Sequence, residues 1–170
     1  MISKRIITPR LILRKARAAD LPAVHAMLSQ PSAMRYWSEP AHKTLDQTKV
    51  WLNRMIARPA AEADDFLIEF NDQVIGKVGA WNLPEVGFLL HPNYWRQGLM
   101  AEAMTAVIRH LFQHHALPAL IAEADPRNVA SIGLLTKLGF NETHSAQNTM
   151  QWGDEWCDSV YLRLDRPTLA

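Results

Sequence analysis

The stretch "EVGFLLHPNYWRQGLMAEAMTAVIRHLF", residues 85 to 112, constrains the fold more than any other part of the chain. An apolar run of strand length stops before Pro92. Beyond Arg96, Gln97 and Gly98 the apolar positions recur at helical spacing from about Leu99 to His114. A strand "ALIAEAD", Ala119 to Asp125, follows, so the segment predicts a parallel strand–helix–strand crossover, right-handed by rule. The turn has chemistry of its own. A helix start offers unpaired backbone N–H groups and a partial positive charge, and Arg96, Gln97 and Gly98 just before it would make a receptor for a phosphate or pyrophosphate. The same residues also fit a plain strand-to-helix turn that carries a surface arginine.

The elements before the crossover are read from alternation and capping. "RLILR", Arg10 to Arg14, alternates as a half-buried strand, and Asp20-Leu21-Pro22 opens a helix that runs to about Leu28. Tyr36 and Trp37 fall in a loop or short turn. Thr44 and Gln47 form a capping-box pattern for a helix that ends near Arg58. "FLIEF", Phe66 to Phe70, and "QVIGKVGAW", Gln73 to Trp81, read as a hairpin about Asn71-Asp72, with Asn82-Leu83-Pro84 linking it to the strand at Glu85. After the crossover, Asn128 caps a helix that Gly139 ends, and Thr143 to Leu164 reads as two strands around Gly153-Asp154. The expected fold class is α/β, a mixed layer with an antiparallel hairpin core and one parallel crossover, in a single domain over residues 1–170.

Composition removes several function classes. Lys and Arg number 18 against 17 Asp and Glu, a net charge of +1, so no overall field favours nucleic acid or an anionic membrane. The lone Cys157 permits neither an internal disulfide nor a multi-cysteine zinc site. No apolar run is long enough to cross a bilayer, and "MISKRIITPR" has no signal-peptide core, so a cytoplasmic location is expected.

The segment "HPNYWRQGLMAEA" resembles the acetyl-CoA pyrophosphate loop of the GNAT superfamily of N-acyltransferases, in particular its ribosomal-protein-alanine acetyltransferase-like (RimJ/RimL-type) branch. The likeness extends along the chain: "TPRLILRKARAADLPAV" is similar to that branch's first strand and helix, "VIGKVG" to its hairpin, and "NVASIGLLTKLGF" to its coenzyme-side helix. Met100 stands where the family usually has Gly or Ala. The resemblance implies a GNAT-like fold, with a mostly antiparallel sheet whose parallel pair splays to admit acetyl-CoA. It implies that free backbone groups at Phe88, Leu89 and Leu90 pair with the pantetheine. Arg96, Gln97, Gly98, Leu99, Met100 and Ala101 would hold the pyrophosphate, with Asn128 a further coenzyme contact.

The reaction so implied transfers an acetyl group to a primary amine, on a protein N-terminus or a small molecule, by direct attack in a ternary complex. Such amines are largely protonated at neutral pH, so a base is useful. Glu85, at the start of its strand, is the candidate, with a solvated strand-end carboxylate as the alternative. Many superfamily members carry a Tyr on the coenzyme-side helix as the acid. Its place here looks like Leu135, and Ser131 is the remaining polar candidate, although a Ser there also serves as a simple helix-start hydrogen-bonder. Tyr36, Trp37 and Trp81 are expected near the acceptor, and most of the six Trp in the core. His110 and His114, four apart, are read as surface or capping residues rather than metal ligands, and Cys157 as an ordinary strand residue. No metal is expected, nor a nucleic-acid or membrane partner, and a monomer and a homodimer are both compatible. The rival reading is a catalytically silent acyl-CoA-binding or regulatory module.

Overall fold

The computed structural model of the protein describes residues 5–168, so the first four residues of "MISKRIITPR" and the last two of the 170 lie outside the described residues. One eight-stranded sheet runs through it. In chain order the strands are β1 (Arg5–Ile7), β2 (Ile12–Arg14), β3 (Asp64–Phe70), β4 (Gln73–Asn82), β5 (Glu85–Leu90), β6 (Ala119–Ala124), β7 (Asn141–Trp152) and β8 (Glu155–Asp165). Their spatial order is β1-β2-β3-β4-β5-β6-β8-β7. Every neighbouring pair is antiparallel except β5 and β6. The helices are α1 (Leu21–Leu28), α2 (Pro31–Met34), α3 (Leu45–Ala57), α4 (Leu99–His114) and α5 (Val129–Lys137).

Side-chain alternation divides the helices between the two faces of the sheet. Phe66, Ile68, Val78, Val86 and Leu90 meet Leu99, Met104, Val107 and Leu111 of α4 and Leu135 of α5. Leu67 and Leu89, on the opposite face, meet Val24, Met27 and Leu28 of α1, Met34 of α2 and Leu52 of α3. Central strands covered on both faces read as nearly continuous apolar runs, which explains "EVGFLL". The β3–β4 turn places Asn71 and Asp72 at φ 48° and 61°, the left-handed pair that a two-residue hairpin turn requires and that Asn and Asp tolerate. At the start of α3 the Thr44 hydroxyl accepts from the Gln47 N–H at 3.3 Å, while the Gln47 side chain accepts from the Lys43 and Thr44 N–H groups. A cap of this kind contributes about 1 kcal/mol.

Three expectations are corrected. The strand expected from Arg10 to Arg14 is shorter, starting at Ile12 as β2, and an unexpected β1 pairs with it as a small hairpin; Arg10 lies between the two, where its backbone N–H and guanidinium bond Glu102 of α4. None of the six Trp is fully buried, and Trp81, Trp95 and Trp156 are exposed, because their large rings sit at element ends rather than between the layers. His110 is not a surface residue but a buried one, with its Nε2 2.8 Å from Asp64 Oδ2.

Candidate active site

β5 and β6 touch at a single residue pair, Glu85 with Ile121, where the Ile121 N–H reaches the Pro84 carbonyl at 3.1 Å. Beyond that pair they have no register partners, and the sheet opens. Which groups face the opening follows from the antiparallel pairing with β4. The His91 N–H bonds Ile75 O at 2.8 Å, so by alternation Leu89 and Gly87 exchange bonds with β4, whereas Phe88 and Leu90 turn their N–H and C=O towards β6. The Leu90 carbonyl is taken by the Trp95 indole N–H at 2.9 Å. Leu89, grouped with its neighbours on sequence, is thereby corrected: its backbone faces β4 and its side chain is buried in the α1–α3 layer.

At the end of the opening lies the turn into α4. Arg96 and Gly98 adopt left-handed φ values of 60° and 72°, which Gly98 does without strain, and Gly98 is the N-cap with no side-chain cap. The first helical bond runs from Glu102 N–H to Gly98 O. Among the described residues no N–H from Arg96 to Ala101 has a hydrogen-bond partner. A run of free donors on a helix N-terminus is a cradle for an anion of phosphate size. Met100 turns its side chain inward against the core, so its bulk stays out of the cradle.

Glu85 sits half-buried at the foot of the opening. Burial raises its carboxyl pKa above the ordinary value and the charge of Glu123 adds to the rise, while a hydrogen bond from Trp81 opposes them. Glu123 escaped the sequence reading. Its signal was the alternation of "ALIAEAD", which puts Ile121 and Glu123 on one face, and Ile121 is the residue level with Glu85. Glu123 is held in turn: its carboxylate accepts from the buried Ser159 hydroxyl, which lies 2.5 Å from Thr149 Oγ1.

The other predicted residues are not all gathered at this cleft. Trp81 borders it, with its ring 3.5 Å from where a side chain would begin on Gly87. Tyr36 stands apart between the guanidinium groups of Arg35 and Arg127, at 5.2 and 5.7 Å from its ring centre. Trp37 lies 5.5 Å from the buried Lys77 ammonium, which pairs with Asp65 at 2.6 Å. Asn128 caps α5 by accepting from the Ser131 N–H at 3.3 Å. The Ser131 hydroxyl has no partner among the described residues, and Leu135 is buried in the core, so α5 presents no bound acid. Cys157 is a buried β8 residue whose sulfur receives the Arg127 Nη2 at 3.5 Å. Among the described residues no three His, Cys, Asp or Glu side chains are grouped to hold a metal ion, and no helix is long and apolar enough to cross a membrane.

A sheet split between parallel strands, with an open anion cradle at the following helix, defines a coenzyme A-dependent acyltransferase class. The chain matches the acetyltransferase (GNAT) domain over residues 10–141 and belongs to that family. It is an acetyl-CoA-dependent N-acetyltransferase. It is similar to the uncharacterized N-acetyltransferase YnaD of Bacillus subtilis, at 27% identity over 94% of this chain and 95% of that protein. It is also similar to the ribosomal protein uS5-alanine N-acetyltransferase of Escherichia coli, at 29% identity over 52% of this chain and 46% of that one. Among solved structures it shares its fold with RimL, the ribosomal L7/L12 α-N-protein acetyltransferase, in complex with coenzyme A. The TM-score is 0.82 at 16% identity, covering 94% of this chain and 96% of that one.

Proposed function

We propose that the protein acetylates a primary amine, on a protein N-terminus or a small molecule, by direct attack in a ternary complex with acetyl-CoA. The observation that carries this reading is Glu85, a carboxyl of raised pKa at the foot of a split that leads to free N–H groups on α4. The N–H groups from Arg96 to Ala101 would hold the pyrophosphate, with Arg96 and Gln97 beside it. Phe88 and the N–H of Leu90 would meet the pantetheine amides, and Asn128 would line the coenzyme side. Glu85 takes the ammonium proton directly or through water, and its raised pKa suits a base working near neutral pH. The freed amine then attacks the thioester carbonyl, which a β5 N–H facing the opening would polarise. Trp81, with Trp37 and Tyr36 farther out, would border the acceptor. No tyrosine stands ready on α5, but a thiol of pKa near 8.5 leaves without strong acid assistance.

Thiol release from acetyl-CoA over a panel of N-terminal peptides, polyamines and amino acids tests the reading and sorts the acceptors. Release with at least one class of primary amine is expected. Tight coenzyme A binding with no release on any amine would leave a silent coenzyme-binding module instead.

A further inference from the structure

The reading above makes no use of the chain's N-terminal segment, yet Arg10 reaches the coenzyme turn from it. Its Nε donates to Glu102 Oε2 at 2.7 Å, and its Nη1 donates to the Gln97 carbonyl at 2.8 Å. The Arg10 backbone N–H and the Thr8 hydroxyl both donate to Glu102 Oε1, at 2.8 and 2.6 Å. Nε and Nη1 are thus each engaged by one bond, while Nη2 has no partner among the described residues. That nitrogen lies 3.5 Å from where a side chain would begin on Gly98, at the centre of the cradle, and the Arg10 side chain is 44% exposed.

We propose that Arg10 is a coenzyme-phosphate ligand supplied by the connection between β1 and β2, and that it also positions the turn. Two physical requirements converge on it. An anion cradle works only if carbonyl oxygens point away from the anion, and the grip of Nη1 on the Gln97 carbonyl turns that oxygen towards Arg10 between two left-handed residues. Glu102, in the first turn of α4, would by itself place a negative charge beside the phosphates. Burial acts to raise its pKa, but the hydrogen bonds from Thr8 and Arg10 outweigh it and keep the carboxyl ionised below its usual range. Arg10 neutralises that charge and leaves its Nη2 beside Gly98, free to make a charge-assisted hydrogen bond to a phosphate oxygen. The loop sequence could not disclose this, because Arg10 is separated from Gln97 by 87 residues and from Glu102 by 92.

The inference rests on residues 96 to 101 being the coenzyme turn, and the test separates the two. Calorimetry with coenzyme A on the wild type and on Arg10→Met comes first, alongside KM and kcat for acetyl-CoA. The loss of a charge-assisted contact predicts a Kd and KM for acetyl-CoA raised about tenfold or more, with kcat at saturation little altered. S-acetylpantetheine, which carries no phosphate, is the reference: the loss with acetyl-CoA should exceed the loss with it by about tenfold. Equal losses with the two thioesters, or an unchanged Kd, would overturn the role of Arg10. Failure of the wild type to bind coenzyme A would instead overturn the coenzyme turn itself. Should Arg10→Met not fold, Arg10→Lys keeps the charge but cannot bond Glu102 and the Gln97 carbonyl while keeping a further nitrogen free, and a Kd raised at least threefold is expected. Arg10→Met combined with Glu102→Gln should regain part of the affinity, because the uncompensated carboxylate is gone, and no regain would count against the charge argument.

Discussion

Glu85 and Glu123 are an unequal pair, and the inequality is what gives Glu85 its character. Glu123 is exposed and held by a hydroxyl, while Glu85 is half-buried and carries the raised pKa, with burial as the first cause and the Glu123 charge as the second. A carboxyl of raised pKa takes up its proton at a higher pH than an ordinary glutamate, so the acid limb of the rate profile should lie above the usual carboxylate range of about 4.3. Glu123→Gln removes the repelling charge. The acid limb of kcat/KM should then move to lower pH, and an unmoved limb would detach Glu123 from the site. Glu85→Gln should depress turnover most at neutral pH and recover as the pH rises and the amine loses its proton unaided. A flat ratio of mutant to wild type across pH would return Glu85 to the role of a simple strand-end carboxylate. Ser131 contrasts with both: its N–H is capped and its hydroxyl unbound, so Ser131→Ala should leave the single-turnover rate within a few-fold of wild type.

At the scale of elements, strands and helices were legible wherever a period and a cap agreed. α3 announced itself through Thr44 and Gln47, and the crossover from β5 through α4 to β6 through a strand, a turn and a helical period in succession. β1 and the one-turn α2 were not legible, since three or four residues carry no measurable period. The geometry of the candidate site was legible where it is local, as in the turn from Arg96 to Gly98 and in the strand that opens at Glu85. It was hidden where strands distant in sequence bring groups together, as with Glu123 beside Glu85 or Arg10 beside Gly98. The contact between α1 and α3 depends on such a hidden group. Thr48, fully buried, places its hydroxyl 2.6 Å from His25 Nδ1 and 2.8 Å from His42 Nδ1, while His42 Nε2 lies 2.8 Å from the Glu39 carboxylate. A carboxylate only accepts, so His42 carries a proton on Nε2, and the single Thr48 hydrogen can serve only one of the two rings. Thr48→Val keeps the volume but removes the hydroxyl from both. A loss of about 2 kcal/mol is expected, read as a lower midpoint in urea with an unchanged slope. A midpoint equal to wild type would mean that the chain of contacts contributes nothing.

At the scale of the whole molecule, one buried carboxylate joins the two ends of the architecture on the α4 face. Asp64, at the start of β3, accepts from His110 and His115 near the end of α4 and from Lys15 just after β2, at 2.8, 2.8 and 2.7 Å. Since the carboxylate has no proton to give, both histidines are protonated on Nε2, and the His114 Nδ1–H is free to donate to the His110 carbonyl at 2.9 Å. Burial works to raise the Asp64 pKa, but the hydrogen bonds from His110, Lys15 and His115 prevail and hold it well below the usual range. A folded pKa below the unfolded value of about 3.9 means that the charged form stabilises the fold at every pH above that value. The contribution is lost as the pH falls from about 4 through the folded pKa. Asp64→Asn tests this directly, because it keeps the shape while presenting an amide N–H₂ to groups that are all donors. At pH 7 the variant should be less stable by about 3 kcal/mol, the cost of leaving one side of a buried ion pair unmatched. As the pH falls below about 4 the difference should narrow, since the carboxyl takes up its proton in the unfolded wild type before it does in the fold, and the stabilisation by the charged form shrinks. Urea unfolding at pH 7, 5 and 3 reads both effects. A difference that stays constant over that range would mean that Asp64 holds the end of α4 to the sheet by shape alone and that its charge plays no part.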